Sequence, residues 1–396
     1  MTPTIPLSAP DITEAEIDAV TAVLRTPHLS LGPELVAFES ALASYHSVPH
    51  AIAVSSGTAG LHMALLTLGI GDGDEVIVPS FAFIAVANAV LHVRATPVFA
   101  DIDPLTLNLT PATVERVLTP RTRAIIVVHT FGLPAEMFAL RTLATHHNLV
   151  IIEDACEAIG AELDGRRVGS FGDLAVFGFY PNKQITTGEG GAVLAHTQGH
   201  ADRLRSLRNQ GRELQRQVFV DGVEGRNPNT APIDETAKDV DWLHHPAIGF
   251  NYRLSDIACA LGRVQLSRIG EILGLRRAAA ERYHVLLGGI PGLELPSLTL
   301  PDKEISWFVF VVRLPETANR TRIQASLAQH GIASATYFAP IHAQPAWHEC
   351  LTASPRLPVT ESVGSRVLAL PFFTRITSAQ QEKVTFAIRK SLILNG

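Results

Sequence analysis

Residues 174–195, LAVFGFYPNKQITTGEGGAVLA, form the most informative stretch of the chain because they single out one lysine, Lys183. The apolar run 174–177 precedes Lys183, and a glycine-rich run leads into a second apolar run, 192–195, which predicts two buried strands on either side. A solvated surface lysine is the alternative, and this context argues against it. A poorly solvated lysine has a lowered pKa and reacts with carbonyl groups as an amine nucleophile. Lys183 therefore indicates pyridoxal phosphate as the first cofactor to consider.

Asp154 is the candidate partner for the pyridine nitrogen of that cofactor. Residues 149–152, LVII, are typical of a buried strand, and Glu153 and Asp154 follow at its carboxyl end. Open α/β sheets bind their ligands at this edge. An aspartate that only caps the next turn is an equally good interpretation when the strand is considered alone. The presence of Lys183 downstream favours the role at the pyridinium.

The turn 55–60, SSGTAG, is the candidate phosphate site. It follows a strand pattern at 51–54 and precedes a helical run at 61–66. Strand, small-residue turn and helix place free N–H groups and the positive end of a helix dipole at one point, which favours an anion. The next strand pattern, 75–78, is followed by Phe81 and Phe83, which are candidates for a wall beside the cofactor ring; one of them is equally well explained as core.

These motifs resemble those of the DegT-type sugar aminotransferases, which are fold-type I pyridoxal phosphate enzymes, and the resemblance covers nearly the whole chain. It implies that Lys183 carries the internal aldimine and that Asp154 pairs with the pyridinium. It further implies that the phosphate is bound by the Ser-Gly-Thr turn and that an aromatic residue stacks on the ring; the matching positions are Gly57, Thr58, Ala59 and Phe83.

Two further segments are similar to the family, 208–212 (RNQGR) and 249–253 (GFNYR). The resemblance implies that Asn251 reaches the cofactor phosphate of the neighbouring subunit. It therefore implies a homodimer with shared active sites.

Two positions depart from the pattern of many relatives. Gly178 stands where a serine hydroxyl commonly bonds the phosphate, so Ser56, Thr58 or a water must replace that donor. Glu157 stands three residues after Asp154, where glutamine or histidine is common and faces the cofactor. A carboxylate there is expected to bond the phenolic edge of the cofactor when protonated, or to contact the substrate.

Alternating strand and helix patterns from residue 14 to about 212 predict an α/β fold, with a mostly parallel sheet covered by helices on both faces. By resemblance the sheet has seven strands and a smaller C-terminal α+β domain follows, giving a large domain at 1–260 with an N-terminal arm and a small domain at 261–396. Segment 215–245 is polar and without a clear period, so a long excursion is expected there. The remaining predicted elements are strands at 96–100, 124–129 and 308–312 and helices at 137–147, 255–275 and 320–330.

Composition indicates a soluble enzyme. The chain has 396 residues, 46% of them hydrophobic, and a net charge of −6 that argues against nucleic acid as a partner. Three widely spaced cysteines fit reduced thiols, and the start of the chain lacks the pattern of a signal peptide, so a cytoplasmic location is expected. The apolar stretch 76–93 is broken by polar residues and is not expected to span a membrane.

The sixteen histidines do not form a metal-binding pattern, because adjacent pairs diverge and no H-E-x-x-H or C-x-x-C occurs. His342 lies in a segment similar to one near the family's substrate, but a structural role is the favoured interpretation.

The resemblance implies transfer of an amino group from an amino acid donor, expected to be glutamate, to a ketone of a nucleotide-linked sugar. Glu157, in Glu-Asp-Ala-Cys-Glu-Ala, is more similar to perosamine-type C4 enzymes than to C3 enzymes with glutamine there, so the expected acceptor is a 4-keto-6-deoxy sugar. Arg212 and Arg253 and the polar residues from 227 to 241 are candidates for contacting the diphosphate, although both arginines could equally pair with acidic neighbours. A 3-keto sugar, a cyclitol ketone and a non-catalytic sensor are the alternatives, while a sugar dehydratase would carry histidine in place of Lys183.

Overall fold

A seven-stranded sheet lies at the centre of the protein. The computed structural model describes residues 4–212, 219–220, 223–224, 245–350 and 355–395. The strands of this sheet and of three smaller sheets in the described residues are β1 (His50–Val54), β2 (Glu75–Pro79), β3 (Thr96–Ala100), β4 (Thr122–Val128), β5 (Val150–Asp154), β6 (Glu162–Leu163), β7 (Arg166–Arg167), β8 (Leu174–Gly178), β9 (Gly191–Ala195), β10 (Phe219–Val220), β11 (Val223–Glu224), β12 (Lys303–Glu304), β13 (Phe310–Arg313) and β14 (Val367–Leu370).

The helices pack around this sheet and around a second core nearer the C-terminus. They are α1 (Glu14–Leu24), α2 (Pro33–His46), α3 (Gly57–Thr67), α4 (Ala85–His92), α5 (Pro111–Glu115), α6 (Met137–His146), α7 (Gln198–Arg208), α8 (Asp256–Ser267), α9 (Ile269–Leu287), α10 (Arg320–Gln329), α11 (Pro345–His348), α12 (Pro358–Arg366) and α13 (Ser378–Asn395). None of the described helices is both long and apolar enough to cross a membrane.

The strand order is β1-β9-β8-β5-β4-β2-β3, and the pairings from β8 through β3 are parallel. Strand β9 runs antiparallel to both of its neighbours, β1 and β8. The prediction of a mostly parallel seven-stranded sheet is therefore confirmed. The antiparallel pairing of β8 with β9 joins the two strands on either side of Lys183, and the parallel pairing of β8 with β5 joins them to the middle of the sheet.

Both faces of the sheet are buried. Successive side chains of a strand point to opposite faces, so each strand contributes residues to a core on either side. On one face, Val54, Val76 and Val176 belong to a core that includes residues of α3, α4 and α7. On the other face, Ala53 packs in a core with residues of α2 and α8, and Ile77 packs in a core with residues of α6. Helices thus cover both faces, as the alternating pattern predicted.

A separate apolar core lies toward the C-terminus. It is formed by residues of α9, α10, α13, β13 and β14, among them Tyr283, Phe310, Ile323, Leu368 and Val384. This core matches the expectation of a smaller α+β unit, while the boundary at residue 260 stays a prediction.

The helix predicted at 255–275 is wrong as a single element. The structure has two helices, α8 and α9, which meet at Arg268, and the second continues to Leu287. The guanidinium of Arg268 binds Asp11 and Glu16 near the N-terminus of the chain. A helical apolar period continues through this junction, so the period alone does not reveal that the helix is interrupted.

The strand predicted at 308–312 begins later than expected, at Phe310. The carbonyl oxygens of Trp307 and Phe308 accept hydrogen bonds from the Arg276 side chain. The excursion predicted at 215–245 lies largely outside the described residues, which include the short pair of β10 with β11 and residue 245 of that range.

Candidate active site

The strand ends that carry the predicted site residues meet at one edge of the sheet. In the strand register, Val54 of β1 pairs with Gly191 of β9, and Gly191 pairs with Gly178 of β8. Farther across, Asp154 of β5 pairs with Val128 of β4. The turn after β1, the Lys183 segment and Asp154 therefore share the ligand-binding edge expected of such a sheet.

The turn after β1 forms the N-terminus of α3. The Ser56 side chain caps this helix by accepting the N–H of Ala59 at 3.0 Å, so its hydroxyl hydrogen stays available to donate. Helix geometry leaves the preceding N–H groups without an intrahelical acceptor. A Cβ at Gly57 would lie 2.8 Å from the Cys156 sulfur, and one at Gly191 would lie 2.7 Å from the Ser56 carbonyl carbon. Glycines at both positions keep this cradle open, which fits an anionic phosphate.

Lys183 lies in a loop that is closed by the pairing of β8 with β9. The N–H of Phe179 donates to the carbonyl of Gly190 at 2.9 Å, and the N–H of Thr187 donates back to Phe179 at 3.0 Å. Within the loop, the N–H of Lys183 donates to Tyr180 at 2.9 Å. The lysine side chain is 16% exposed, so it is shielded from water but accessible.

The Lys183 amine is held between a carboxylate and an aromatic ring. Its Nζ lies 3.6 Å from Oε1 of Glu157 and 4.1 Å from the centre of the Phe308 ring. The other carboxylate oxygen of Glu157 accepts the N–H of Phe131 at 3.0 Å. Burial raises the pKa of Glu157, and the charge of Lys183 acts in the opposite direction. The side chain of Glu157 thus turns toward the lysine, at the position where the resemblance implied a residue facing the cofactor.

Phe308 was missed by the sequence interpretation. It lies 125 residues after Lys183 in the chain, in a segment that reads as an ordinary apolar strand. Because its contact with Lys183 is made only in the folded protein, no local motif indicates it.

Asp154 is the last residue of β5 and is buried, with one carboxylate oxygen accepting the N–H of Cys156 at 3.1 Å. The preceding Glu153 is fully buried and has another role. It binds the His129 ring at 3.0 Å and accepts three backbone N–H groups of the loop before β8, those of Gly169, Phe171 and Gly172. Both oxygens of the Glu153 carboxylate are therefore hydrogen-bonded within the protein. Asp154 is the carboxylate of this pair that is suited to bind a ligand.

The Cys156 thiol fills the space beside the phosphate cradle. Burial raises its pKa, and the nearby charge of Asp154 raises it further. A Cβ at Gly178 would lie 3.4 Å from both Cβ and Sγ of Cys156. The cysteine therefore packs closely against the position at which many relatives carry serine.

The two candidate ring residues differ in burial. Phe81 is fully buried and belongs to an apolar core with Phe308 and Phe338, whereas the Phe83 side chain is 61% exposed. Of the two alternatives, Phe81 is thus the core residue, and Phe83 is the one that remains open to a ligand or partner. Asn251 is also exposed, and its backbone forms a bridge with Asn209.

Three arginines, Arg208, Arg212 and Arg253, belong to the two segments that the bridge between Asn209 and Asn251 joins. Arg253 donates to the side-chain oxygen of Asn209 at 2.8 Å, and Arg208 is paired with Glu39. Burial lowers the pKa of Arg253, and the charges of Arg212 and Arg208 lower it further. Among the described residues, Arg253 hydrogen-bonds the Asn209 amide and forms no ion pair with an acidic neighbour.

His342 joins two parts of the chain. Its Nδ1 lies 2.6 Å from the hydroxyl oxygen of Ser80, and its backbone N–H donates to the same oxygen at 3.2 Å. The other ring nitrogen lies 3.5 Å from Glu361. These contacts fit the structural role that was favoured. Among the described residues, no group of three or more His, Cys, Asp or Glu is arranged to hold a metal ion.

Comparison with known proteins gives matches over nearly the full chain. GDP-perosamine synthase of Caulobacter vibrioides is 38% identical over 395 residues, covering 99% of each protein. The dTDP-3-amino-3,4,6-trideoxy-alpha-D-glucose transaminase of Streptomyces venezuelae is 39% identical over 379 residues, covering 95% of this chain and 92% of that protein.

Solved structures of two related proteins are also similar to this chain over nearly its full length. DesV of S. venezuelae, in complex with a ketimine intermediate, is 37% identical with a TM-score of 0.84 and covers 98% of each chain. The aminotransferase TlmJ of Streptoalloteichus hindustanus is 30% identical with a TM-score of 0.88 and covers 99% of each chain. The family model of the DegT/DnrJ/EryC1/StrS aminotransferases matches residues 10–389. The chain therefore belongs to the DegT/DnrJ/EryC1/StrS aminotransferase family, whose members are pyridoxal phosphate enzymes.

Proposed function

We propose that the protein transfers an amino group from glutamate to a ketone of a nucleotide-linked sugar, with Lys183 as the catalytic amine. The observation that carries this proposal is the position of the Lys183 amine, 3.6 Å from Glu157 and at the same sheet edge as Asp154 and the N-terminus of α3. The N-terminus of α3, Asp154 and Lys183 are chemically suitable for the phosphate, the ring nitrogen and the aldehyde of pyridoxal phosphate, which supports the proposal. The two relatives compared by sequence are named as enzymes of nucleotide-linked amino sugars.

The proposed roles follow from the chemistry of each side chain. When bound, pyridoxal phosphate supplies a carbonyl for amines and a ring that accepts electrons. Gly57, Thr58 and Ala59 bind its phosphate through the N-terminus of α3. Asp154 holds a proton on the ring nitrogen. Lys183 binds the cofactor and, once free, moves a proton at the α-carbon of the donor, a type of catalysis that contributes about 10²–10⁴ in rate.

Two exposed residues are proposed to complete the site, and one of them, Asn251, does so across the boundary between subunits. Phe83 packs on the cofactor ring, and Asn251 reaches the phosphate of the partner subunit. The exposure of both side chains in the single chain supports this, because each is open to a ligand or to another subunit. The active unit is accordingly proposed to be a homodimer.

A complementation experiment tests the shared site. Lys183→Ala and Asn251→Ala chains are each expected to be inactive, and mixing equal amounts under conditions of subunit exchange should restore activity. Half of the dimers are then mixed, and each of these has one site with both residues intact, so about a quarter of the wild-type sites are recovered. The measurement is specific activity after exchange, with dimer exchange followed by differential tagging. Absence of recovery despite exchange would place Asn251 in its own subunit's site or outside the site.

The acceptor is proposed to be a 4-keto-6-deoxy sugar that is aminated at C4. The support for this choice is Glu157, whose carboxylate lies beside the Lys183 amine instead of the amide that is common in relatives. The names of the two relatives differ here, since one is named a perosamine synthase and the other a transaminase of a 3-amino sugar. The position of the new amine therefore has to be measured.

A matched pair of substrates tests both the reaction and its regiochemistry. Purified protein with glutamate is given 3-keto and 4-keto sugars on the same nucleotide, in a GDP and a dTDP series, and products are read by mass. We expect kcat/KM for the 4-keto isomer to exceed that for the 3-keto isomer by about tenfold or more. Preference for the 3-keto isomer or for a free cyclitol ketone would contradict the acceptor, and an absence of any amino transfer would favour a sensor.

A further inference from the structure

Arg276, on α9, is a buried cation for which the described residues supply no carboxylate partner. Its Nε donates to the carbonyl oxygen of Trp307 at 2.6 Å, and its Nη2 donates to that of Phe308 at 2.6 Å. Nη1 reaches the hydroxyl oxygen of Thr374 at 3.2 Å. Burial lowers the pKa of Arg276 to about 9. The guanidinium also lies over the Phe372 ring, 5.0 Å from its centre. A buried charge without a counter-charge is costly, and here it is offset by two carbonyls, a hydroxyl and a ring, with no carboxylate among the described residues.

The two carbonyls belong to the segment that carries the Phe308 ring to Lys183. The same segment is bonded from its other side by Gln184, the residue after the lysine. The Gln184 side-chain amide donates to the Ser306 carbonyl at 3.1 Å and to its hydroxyl oxygen at 2.8 Å. The chain around Phe308 is thus fixed between α9 and the Lys183 loop, although it does not belong to a strand there.

We propose that Arg276 is a positioning residue for the active site, which holds the carbonyls of Trp307 and Phe308 so that the Phe308 ring lies on the Lys183 amine. The inference rests on the proposed role of Lys183 as the residue that binds the cofactor. A guanidinium suits this role because its planar fork reaches two carbonyl oxygens at once. An ammonium is a single point charge and cannot span both.

The position of the ring matters because an aromatic face attracts a cation only at close range, within about 6 Å of its centre. In the holoenzyme, the Phe308 ring is therefore placed to stabilise positive charge on the nitrogen at Lys183. Other groups act on the same nitrogen: Glu157 lies 3.6 Å away, and the Cys156 thiol interacts with its charge. The charge of Asp154 raises the pKa of both Glu157 and Cys156, and the charge of Glu157 raises the pKa of Tyr337. These groups are unchanged in the variants below, so their contribution is held constant.

The test is a pH titration of the visible absorbance of the holoenzyme. Arg276→Lys keeps the charge and loses the fork, and it should move the titration midpoint to lower pH by about 0.5–1.5 units. Phe308→Leu removes the ring and should give a shift of the same sign and size. The matched control is Arg277→Lys, since Arg277 is the next residue of α9 but is half exposed and paired with Glu304. This control should titrate as the wild type does.

The double variant Arg276→Lys/Phe308→Leu separates positioning from a general effect on folding. If Arg276 acts through the ring, the double variant should shift no further than Phe308→Leu alone. Additive shifts, or an unmoved midpoint in Arg276→Lys with a wild-type unfolding temperature, would overturn the inference. Should Arg276→Lys not fold, an unmoved midpoint in Phe308→Leu would overturn it equally. Failure of the proposed function looks different, because the wild type itself would then show no visible band that depends on Lys183.

Discussion

Lys183→Ala is expected to abolish amino transfer, with a loss of about 10⁴-fold or more, because the proposed nucleophile and the proposed proton carrier are the same amine. No other lysine of the described chain can replace it. Lys303 is paired with Glu136, and Lys383 and Lys390 lie exposed on α13. The measurement is kcat with glutamate and the keto-sugar that is turned over, together with the visible absorbance of the purified protein.

Two further variants make this result specific. Lys183→Arg keeps a cation beside Glu157 and Phe308 but cannot form the carbonyl adduct, so it should be as inactive as Lys183→Ala. Lys383→Ala removes an exposed lysine of α13 and should leave both kcat and the absorbance unchanged. Near-wild-type transamination by Lys183→Ala would show that another group is the nucleophile.

Asp154→Asn is expected to lower kcat by about 10²–10⁴-fold while the protein still binds its cofactor. The substitution keeps the shape of the side chain and an oxygen that can accept the Cys156 N–H, now 3.1 Å from the carboxylate. It removes the negative charge that holds the ring nitrogen protonated. Breaking a buried charge pair costs about 3–5 kcal/mol, which corresponds to the loss in rate given above.

Deuterated substrate identifies the step that Asp154 assists. With glutamate that carries deuterium at its α-carbon, the variant should show a larger isotope effect than the wild type, since proton transfer has become slower. Asp173→Asn is the matched control, because Asp173 also accepts a backbone N–H, that of Ile151 at 2.8 Å, but precedes β8 at the opposite edge of the sheet. An unchanged rate in Asp154→Asn would remove this residue from the mechanism.

The sheet and its helices were predictable because their signals are local. Strand patterns such as 75–78 and 96–100 appear in the structure within a residue of their expected bounds, since a strand buried on both faces is apolar throughout. The junction of α8 and α9 was not predictable. At this junction Arg268 contacts Asp11 and Glu16, which lie about 250 residues away in the chain, and periodicity carries no information on such contacts.

The site residues likewise fall into a group that the sequence predicts and a group that it does not. Gly57, Asp154 and Lys183 each follow or end a strand, so the fold class alone places them at one edge, as the structure shows. Phe308 and Arg276 come from the C-terminal part of the chain, and their contacts depend on how α9 and the segment before β13 pack. The orientation of Glu157 toward Lys183 also required coordinates, because its sequence position allowed either a cofactor or a substrate contact.

The closure of the Lys183 loop by β8 and β9 has a consequence for how such enzymes diversify. The loop is fixed by main-chain bonds and by a core that includes Phe177, Phe179 and Ile185. Phe308 and Phe338 belong to a different core, built with residues of β13 and β14. Mutations that accumulate in the second core can reshape the approach to the amine while the first keeps the amine in register. Substitutions in the second core, other than at Phe308 itself, are therefore the ones we expect to change the acceptor while the Lys183 loop is kept, and a directed-evolution library is best placed there.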